Sequence, residues 1–178
     1  MISLPKDYLI YLGWKPGDKI LVERIENTVT LNKFDEEPKI YSIGYEGKTM
    51  NEFINLLEDN KIVELVDVRN NAFSWKKGFS KKCLSESLAD SNIHYINLSK
   101  LGAPPTIRVE IKENQNPDKF FSDYSRWLKL NDPDLNILDI LARQRTSAMM
   151  CVEANFKNCH RKILGERLED RGYEVIQL

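Results

Sequence analysis

Apolar residues recur along this chain with two spacings, and the switches between them lay out its elements. Lys19 to Arg24 and Thr28 to Leu31 are β-branched and alternate apolar with polar, which predicts two strands with Glu26 and Asn27 as the turn. Ahead of them, Leu4 to Gly13 reads as a short helix, with Pro5 at its start and Gly13 at its end. Lys33 to Pro38 interrupts both spacings with charge and a proline, which marks a linker, and the boundary falls near Glu37.

From Lys39 onward strands alternate with helices. Ile40 to Gly44 reads as a strand, Thr49 to Asn60 as a helix with Phe53, Ile54, Leu56 and Leu57 on one face, and Ile62 to Val68 as a nearly all-apolar strand. A helix over Ser80 to Asp90, a strand over His94 to Leu98 and a loop over Leu101 to Pro105 follow. Two helices broken at Asp132 and Pro133 fill Pro117 to Arg145, the first carrying Phe120, Phe121, Tyr124, Trp127 and Leu128 on one side. Ser147 to Glu153 is the next strand, Cys159 to Arg171 a helix, and Glu174 to Leu178 the last strand. This order predicts an α/β fold, a mainly parallel sheet with helices on both faces, over residues 38–178. A small α+β module, helix plus hairpin, occupies residues 1–37.

Composition narrows the partners. The 178 residues carry a formal net charge of −1, so contact with a polyanion has to come from local clusters such as Lys76 with Lys77 and Lys81 with Lys82. No apolar run approaches the span of a bilayer, and Met1 to Pro5 does not resemble a signal peptide, so no membrane partner is expected. Three cysteines, an odd count, suit reduced thiols in a cytoplasm. The segment Gly44-Tyr45-Glu46-Gly47 is too short for a dinucleotide fingerprint and no phosphate-loop signature exists, so no cofactor is assigned.

Chemistry concentrates between Cys151 and Arg161, where eleven residues hold two cysteines, Glu153, His160 and Arg161. With Asn158 as N-cap, Cys159 falls in the first turn of a helix, where the dipole, His160 and Arg161 favour its thiolate and make it a candidate nucleophile. The same helix start suits an anion held by Arg161. Cys151, on a strand, reads as a small buried hydrophobe. Metal is the alternative, with Cys151, Cys159 and His160 as ligands and Asp67, Glu153 or water as the fourth. That spacing matches no common zinc pattern, and no metal is assigned.

Three strands, ending at Gly44 to Gly47, Asp67 to Arg69 and Cys151 to Glu153, bring polar groups to one edge of a parallel sheet. Asp67 and Arg69 read either as a structural ion pair or as an acid/base group with a bidentate anion clamp, and position favours the second. Arg108, in a rigid crossover loop, adds a cation. Cys83 and His94 read as structural.

Residues 39–178 resemble the family of domains of unknown function numbered 488. The likeness is carried in order by Ile43 to Gly47, Val66 to Arg69, Ser74 with Gly78 and Phe79, Leu101 with Gly102, Cys151 to Glu153, Cys159 to Arg161, and Gly172 to Val175. It implies a compact α/β domain whose hallmark polar residues are those above. Trp75 stands where the family often has an arginine and Asn71 where a proline is common, so that side of the pocket is expected to differ. Separately, Ile2 to Lys6, Leu12 to Lys19 and Leu21 to Glu23 resemble the SpoVT-AbrB swapped-hairpin domain over about residues 1–33. Members bind DNA as intertwined dimers, and the family's usual first strand would precede Met1. Five Lys/Arg against four Asp/Glu make no basic stripe here, so the resemblance implies a homodimer more than operator binding.

The leading expectation is an enzyme with Cys159 as nucleophile or acid/base and Asp67, Glu153 and His160 handling protons. Arg69, Arg161, Tyr45 and Arg108 hold an anionic small molecule, a nucleotide or nucleic acid. The rival is a DNA-binding regulator whose second domain senses a ligand or redox state, with Cys151 and Cys159 as a switchable pair.

Overall fold

The computed structural model describes residues 12–15, 18–25, 28–34 and 38–178. The chain divides into two compact units, Met1–Pro38 and Lys39–Leu178. In the first, β1 (Lys19–Ile25) pairs antiparallel with β2 (Thr28–Phe34), with Val22 opposite Leu31. Both predicted strands form. All of the expected helix over Leu4 to Gly13 except Leu12 and Gly13, which form a turn, lies outside the described residues, as does the turn at Glu26 and Asn27.

The second unit is an α/β domain. Its strands are β3 (Lys39–Gly44), β4 (Glu64–Asp67), β5 (His94–Asn97), β6 (Ser147–Cys151) and β7 (Glu174–Gln177). All pairings are parallel, in the order β5-β4-β6-β3-β7. The helices are α1 (Met50–Asp59), α2 (Lys81–Asp90), α3 (Pro105–Lys112), α4 (Pro117–Leu130), α5 (Asp132–Gln144) and α6 (Arg161–Glu169). No helix of the described residues is long and apolar enough to cross a membrane.

Strand alternation explains how one sheet supports two cores. Along β6, Met149 and Cys151 join Tyr124, Leu128, Leu138 and Leu164 from α4, α5 and α6. Ala148 and Met150 face the other way, into Phe53, Leu57, Leu84 and Leu88 from α1 and α2. Every residue of β4 and β6 is buried, as expected of strands covered on both faces.

Local signals set the helices. Thr49 caps α1 through a reciprocal box in which Thr49 Oγ1 accepts from the Glu52 amide at 3.2 Å and Glu52 Oε2 from the Thr49 amide at 2.7 Å. Phe120, Tyr124 and Leu128 bury one face of α4 at four-residue steps. The stretch after Pro104, expected to be a crossover loop, folds as α3. Pro105 sits in its first turn with its missing N–H at no cost, and Ile107 and Ile111, four apart, pack onto the core.

Topology opens a crevice. The chain leaving β4 passes to α2 on one face, whereas the chain leaving the adjacent β6 passes to α6 on the other. Such a divergence at the carboxyl edge is where open α/β sheets bind ligands. Two glycines let the backbone close around it. A Cβ on Gly44 would meet the Glu153 carbonyl oxygen at 1.9 Å, and one on Gly102 the Asn70 nitrogen at 1.9 Å.

Because backbone cannot retreat as a side-chain tip can, Gly44→Ala is expected to destabilise the domain by about 1–3 kcal/mol or more. Urea unfolding measures this, and an unchanged midpoint would contradict the close approach.

Candidate functional site

A cavity of about 380 Å³ lies at the carboxyl edge between β4 and β6. After β4 it is lined by Arg69, Asn70, Asn71 and Phe73, and after β6 by Cys151, Val152, Glu153, Asn158, Cys159 and His160. Ala103, Arg108, Ile111 and Lys112 from the α3 region close it, with Phe120 from α4.

The two sulfurs and one ring nitrogen form its reactive floor. His160 Nε2 lies 3.0 Å from the Val68 carbonyl, and since a carbonyl only accepts, Nε2 carries the hydrogen. Nδ1 therefore faces the sulfurs, 3.7 Å from Cys159 Sγ and 3.9 Å from Cys151 Sγ. The Tyr124 ring packs edge-on to the imidazole with centroids 5.2 Å apart, fixing its plane. Cys151 Sγ donates to Glu153 Oε2 at 3.2 Å.

Arg161 is 1 % exposed and reaches under this floor. Its Nε donates to Cys159 Sγ at 3.4 Å, one terminal nitrogen to Ser42 Oγ of β3 at 3.0 Å, and the other to the Glu153 carbonyl. Among the described residues no carboxylate pairs with it. A buried guanidinium beside a sulfur acts on the sulfur's ionisation. Burial pushes the Cys159 thiol up, but hydrogen bonding from Cys151, the charge and hydrogen bond of His160 and the charge of Arg161 outweigh it, so Cys159 falls well below the ordinary thiol value. Cys151 moves the other way, raised by its hydrogen bond with Cys159 and by burial, and keeps its proton. Burial, then the Cys159 charge, raises Glu153. His160 is lowered by burial and raised more by Cys159.

The helix-start origin expected for this thiolate is corrected by the backbone. Asn155 caps a 3-10 turn over Phe156–Asn158, accepting from the Lys157 amide at 3.0 Å, and Cys159 is extended at φ −121° and ψ 150°. Helix α6 begins only at Arg161, so Cys159 lies ahead of its first turn, and the groups that favour its charge are the neighbouring side chains named above.

Four expected site residues make their contacts within the protein. Asp67 is fully buried and accepts from Arg69 Nε at 2.8 Å, from an Arg69 terminal nitrogen at 2.6 Å and from Tyr95 Oη at 2.6 Å. Burial disfavours the Arg69 guanidinium, and its hydrogen bonds and attraction to Asp67 more than compensate, so Arg69 is held above its ordinary value. The other terminal nitrogen of Arg69 donates to the Phe79 carbonyl at 2.9 Å and to Tyr45 Oη at 3.2 Å. Asp67 and Arg69 thus pair with each other and pin the loop after β4, Arg69 also lining the cavity, and Tyr45, stacked on Phe79 at 4.5 Å, is buried in the core. Arg161 likewise places its guanidinium against groups of the protein. Arg108 does line the cavity, from helix α3, and its buried Nε has no hydrogen-bond partner among the described residues. His94 pairs with Glu64 at 3.4 Å, and Cys83 is exposed and free.

Phe73, Asn70, Lys112 and Phe120 were not legible as site residues. Only α3 carried a usable signal, a proline pair followed by isoleucines four apart. Cys151, Cys159 and His160 also bring three metal-type donor atoms within 4.8 Å of one another. A metal there would add its charge beside a guanidinium already bonded to Cys159, whereas one thiolate balances Arg161 without it.

Fold and site together define a parallel α/β domain with a thiol, imidazole and carboxyl cluster in a crevice at the sheet's carboxyl edge. The chain belongs to the family described as Domain of unknown function DUF488, which matches residues 49–168. No curated protein and no solved structure matches it.

Removing one member of a buried ion pair strands the other, so Asp67→Asn is expected to cost about 3–5 kcal/mol. Calorimetry on the variant checks this. A near-native melting temperature would return Asp67 to the list of groups free for proton transfer.

Proposed function

We propose that this protein is an enzyme that attacks an anionic substrate with the Cys159 thiolate. The observation that carries the reading is the buried Arg161 guanidinium, which has Cys159 Sγ and, among the described residues, no carboxylate beside it. A buried cation of this kind needs a nearby anion, and a thiolate is the nucleophilic form of cysteine. In the proposed step the sulfur forms a bond to an electrophilic carbon or phosphorus while the bond to the leaving group breaks. The leaving group takes its proton from Glu153 or His160, both of which the site holds above their ordinary values and so favours in the protonated form. Water then displaces the sulfur and restores the thiolate.

Cations at the cavity wall support the substrate's charge. Arg108 offers an unpartnered Nε and Lys112 is exposed at the same wall, so an anionic group there gains hydrogen bonds that the protein itself leaves unmade. Arg69 and Arg161 contribute field without touching the substrate.

Alkylation tests both halves. Iodoacetate is expected to modify Cys159 faster than neutral iodoacetamide does, whereas exposed Cys83 shows no such preference, and Arg108→Gln is expected to reduce the ratio several-fold. Peptide mass analysis reads out each cysteine. Equal or inverted rates at Cys159 would contradict the anion reading, and stoichiometric zinc or copper on the purified protein would contradict the free thiolate.

A further inference from the structure

The loop after β4 holds one of the least protected aromatic residues in the domain. Trp75 is 94 % exposed and Phe73 is 54 % exposed. Their rings meet edge to face with centroids 5.0 Å apart, and Phe73 also lines the cavity. An aromatic path thus runs from the mouth of the cavity to open solvent.

This loop is held in place. Ser80 Oγ donates to the Ser74 carbonyl at 3.0 Å and accepts from the Ser74 amide at 3.0 Å. Ser74 Oγ accepts from the Lys76 amide at 3.1 Å and from Tyr45 Oη at 3.2 Å, and Lys76 Nζ donates to the Tyr45 carbonyl at 2.8 Å. Serines pinned on both sides of Trp75 present the indole outward in one place, at the cost of leaving its apolar faces in water.

Charge along the same stretch is of one sign. Residues 68–85 contain Arg69, Lys76, Lys77, Lys81 and Lys82 and neither Asp nor Glu. Arg69 and Lys76 are used internally, which leaves Lys77, Lys81 and Lys82 exposed with no ion pair among the described residues. Aliphatic side chains of the kind a membrane-inserting loop uses are missing, since residues 69–80 hold no Leu, Ile, Val or Met. Exposed rings flanked by lysines match a different ligand, one with flat apolar faces joined by a chain of phosphates.

We propose that residues 73–82 bind single-stranded nucleic acid, with a base stacked on Trp75 and phosphates on Lys77, Lys81 and Lys82. The neighbouring nucleotide then lies over Phe73 at the cavity mouth, toward Arg108 and Lys112. Delivery of the strand to Cys159 rests on the thiolate reading above, while binding to the loop does not. A duplex is disfavoured because its bases are already stacked and cannot lie on the indole.

Fluorescence anisotropy of a short fluorescein-labelled oligothymidylate with the full chain tests the proposal. Binding at low salt is expected, weakened roughly ten-fold by Trp75→Ala and largely retained in Trp75→Phe. Joint replacement of Lys77, Lys81 and Lys82 by Gln is expected to lower the log–log salt slope by roughly 2. All four residues are exposed, so the variants fold, and unchanged Cys159 alkylation in Trp75→Ala confirms that the neighbouring site is intact. Absence of binding at low salt, binding indifferent to both variants, tighter binding of duplex, or a preference for anionic vesicles would each overturn the proposal without touching the thiolate reading.

Discussion

Everything at the carboxyl edge depends on how a guanidinium is kept charged inside the protein. Arg161, 1 % exposed, gives up water for a serine hydroxyl, a backbone carbonyl and a sulfur. Two neutral dipoles do not replace hydration of a cation, so the third partner has to carry charge. In joining Ser42 on β3, the turn after β6 and Cys159 ahead of α6, the same side chain also fixes the geometry. Gly44 is part of the arrangement, because only a residue without Cβ lets the Glu153 carbonyl approach β3 closely enough to meet Arg161.

Two buried arginines at one edge do separate jobs. Arg69 has a carboxylate of its own, and with Asp67, Tyr95 and the Phe79 carbonyl it anchors the loop that walls one side of the cavity. Arg161 has none among the described residues and lies against the sulfur of Cys159. The difference between the two arginines is therefore the presence or absence of one carboxylate within reach. From such a position a cysteine gains acidity, while its neighbour Cys151 loses it and keeps its proton, donated to Glu153.

Much of the domain was legible in the sequence because strands buried on both faces must be apolar throughout. Glu64–Asp67 and Ser147–Cys151 form within the apolar runs that predicted them, and their polar ends fall on one edge as a parallel sheet requires. Cys151, Glu153, Cys159, His160 and Arg108 do line one cavity. A charge at a strand end looks alike in sequence whether it faces a partner or a substrate, so the engagement of Asp67, Arg69 and Tyr45 with one another was not legible. Asn158 looked like a helix cap, but Asn155 starts a tighter turn three residues earlier and moves Cys159 out of the helix. Phe73 reaches the cavity through contacts distant in sequence, and no local pattern announces it.

The account stands on the ionisation of Cys159. Rates of iodoacetamide alkylation at this residue, followed by peptide mass analysis across pH in a Cys83→Ser background, measure it directly. A rate that already levels off well below the ordinary thiol value, with Cys151 unreactive, is the predicted result. A rate at Cys159 that keeps rising through the alkaline range would contradict it.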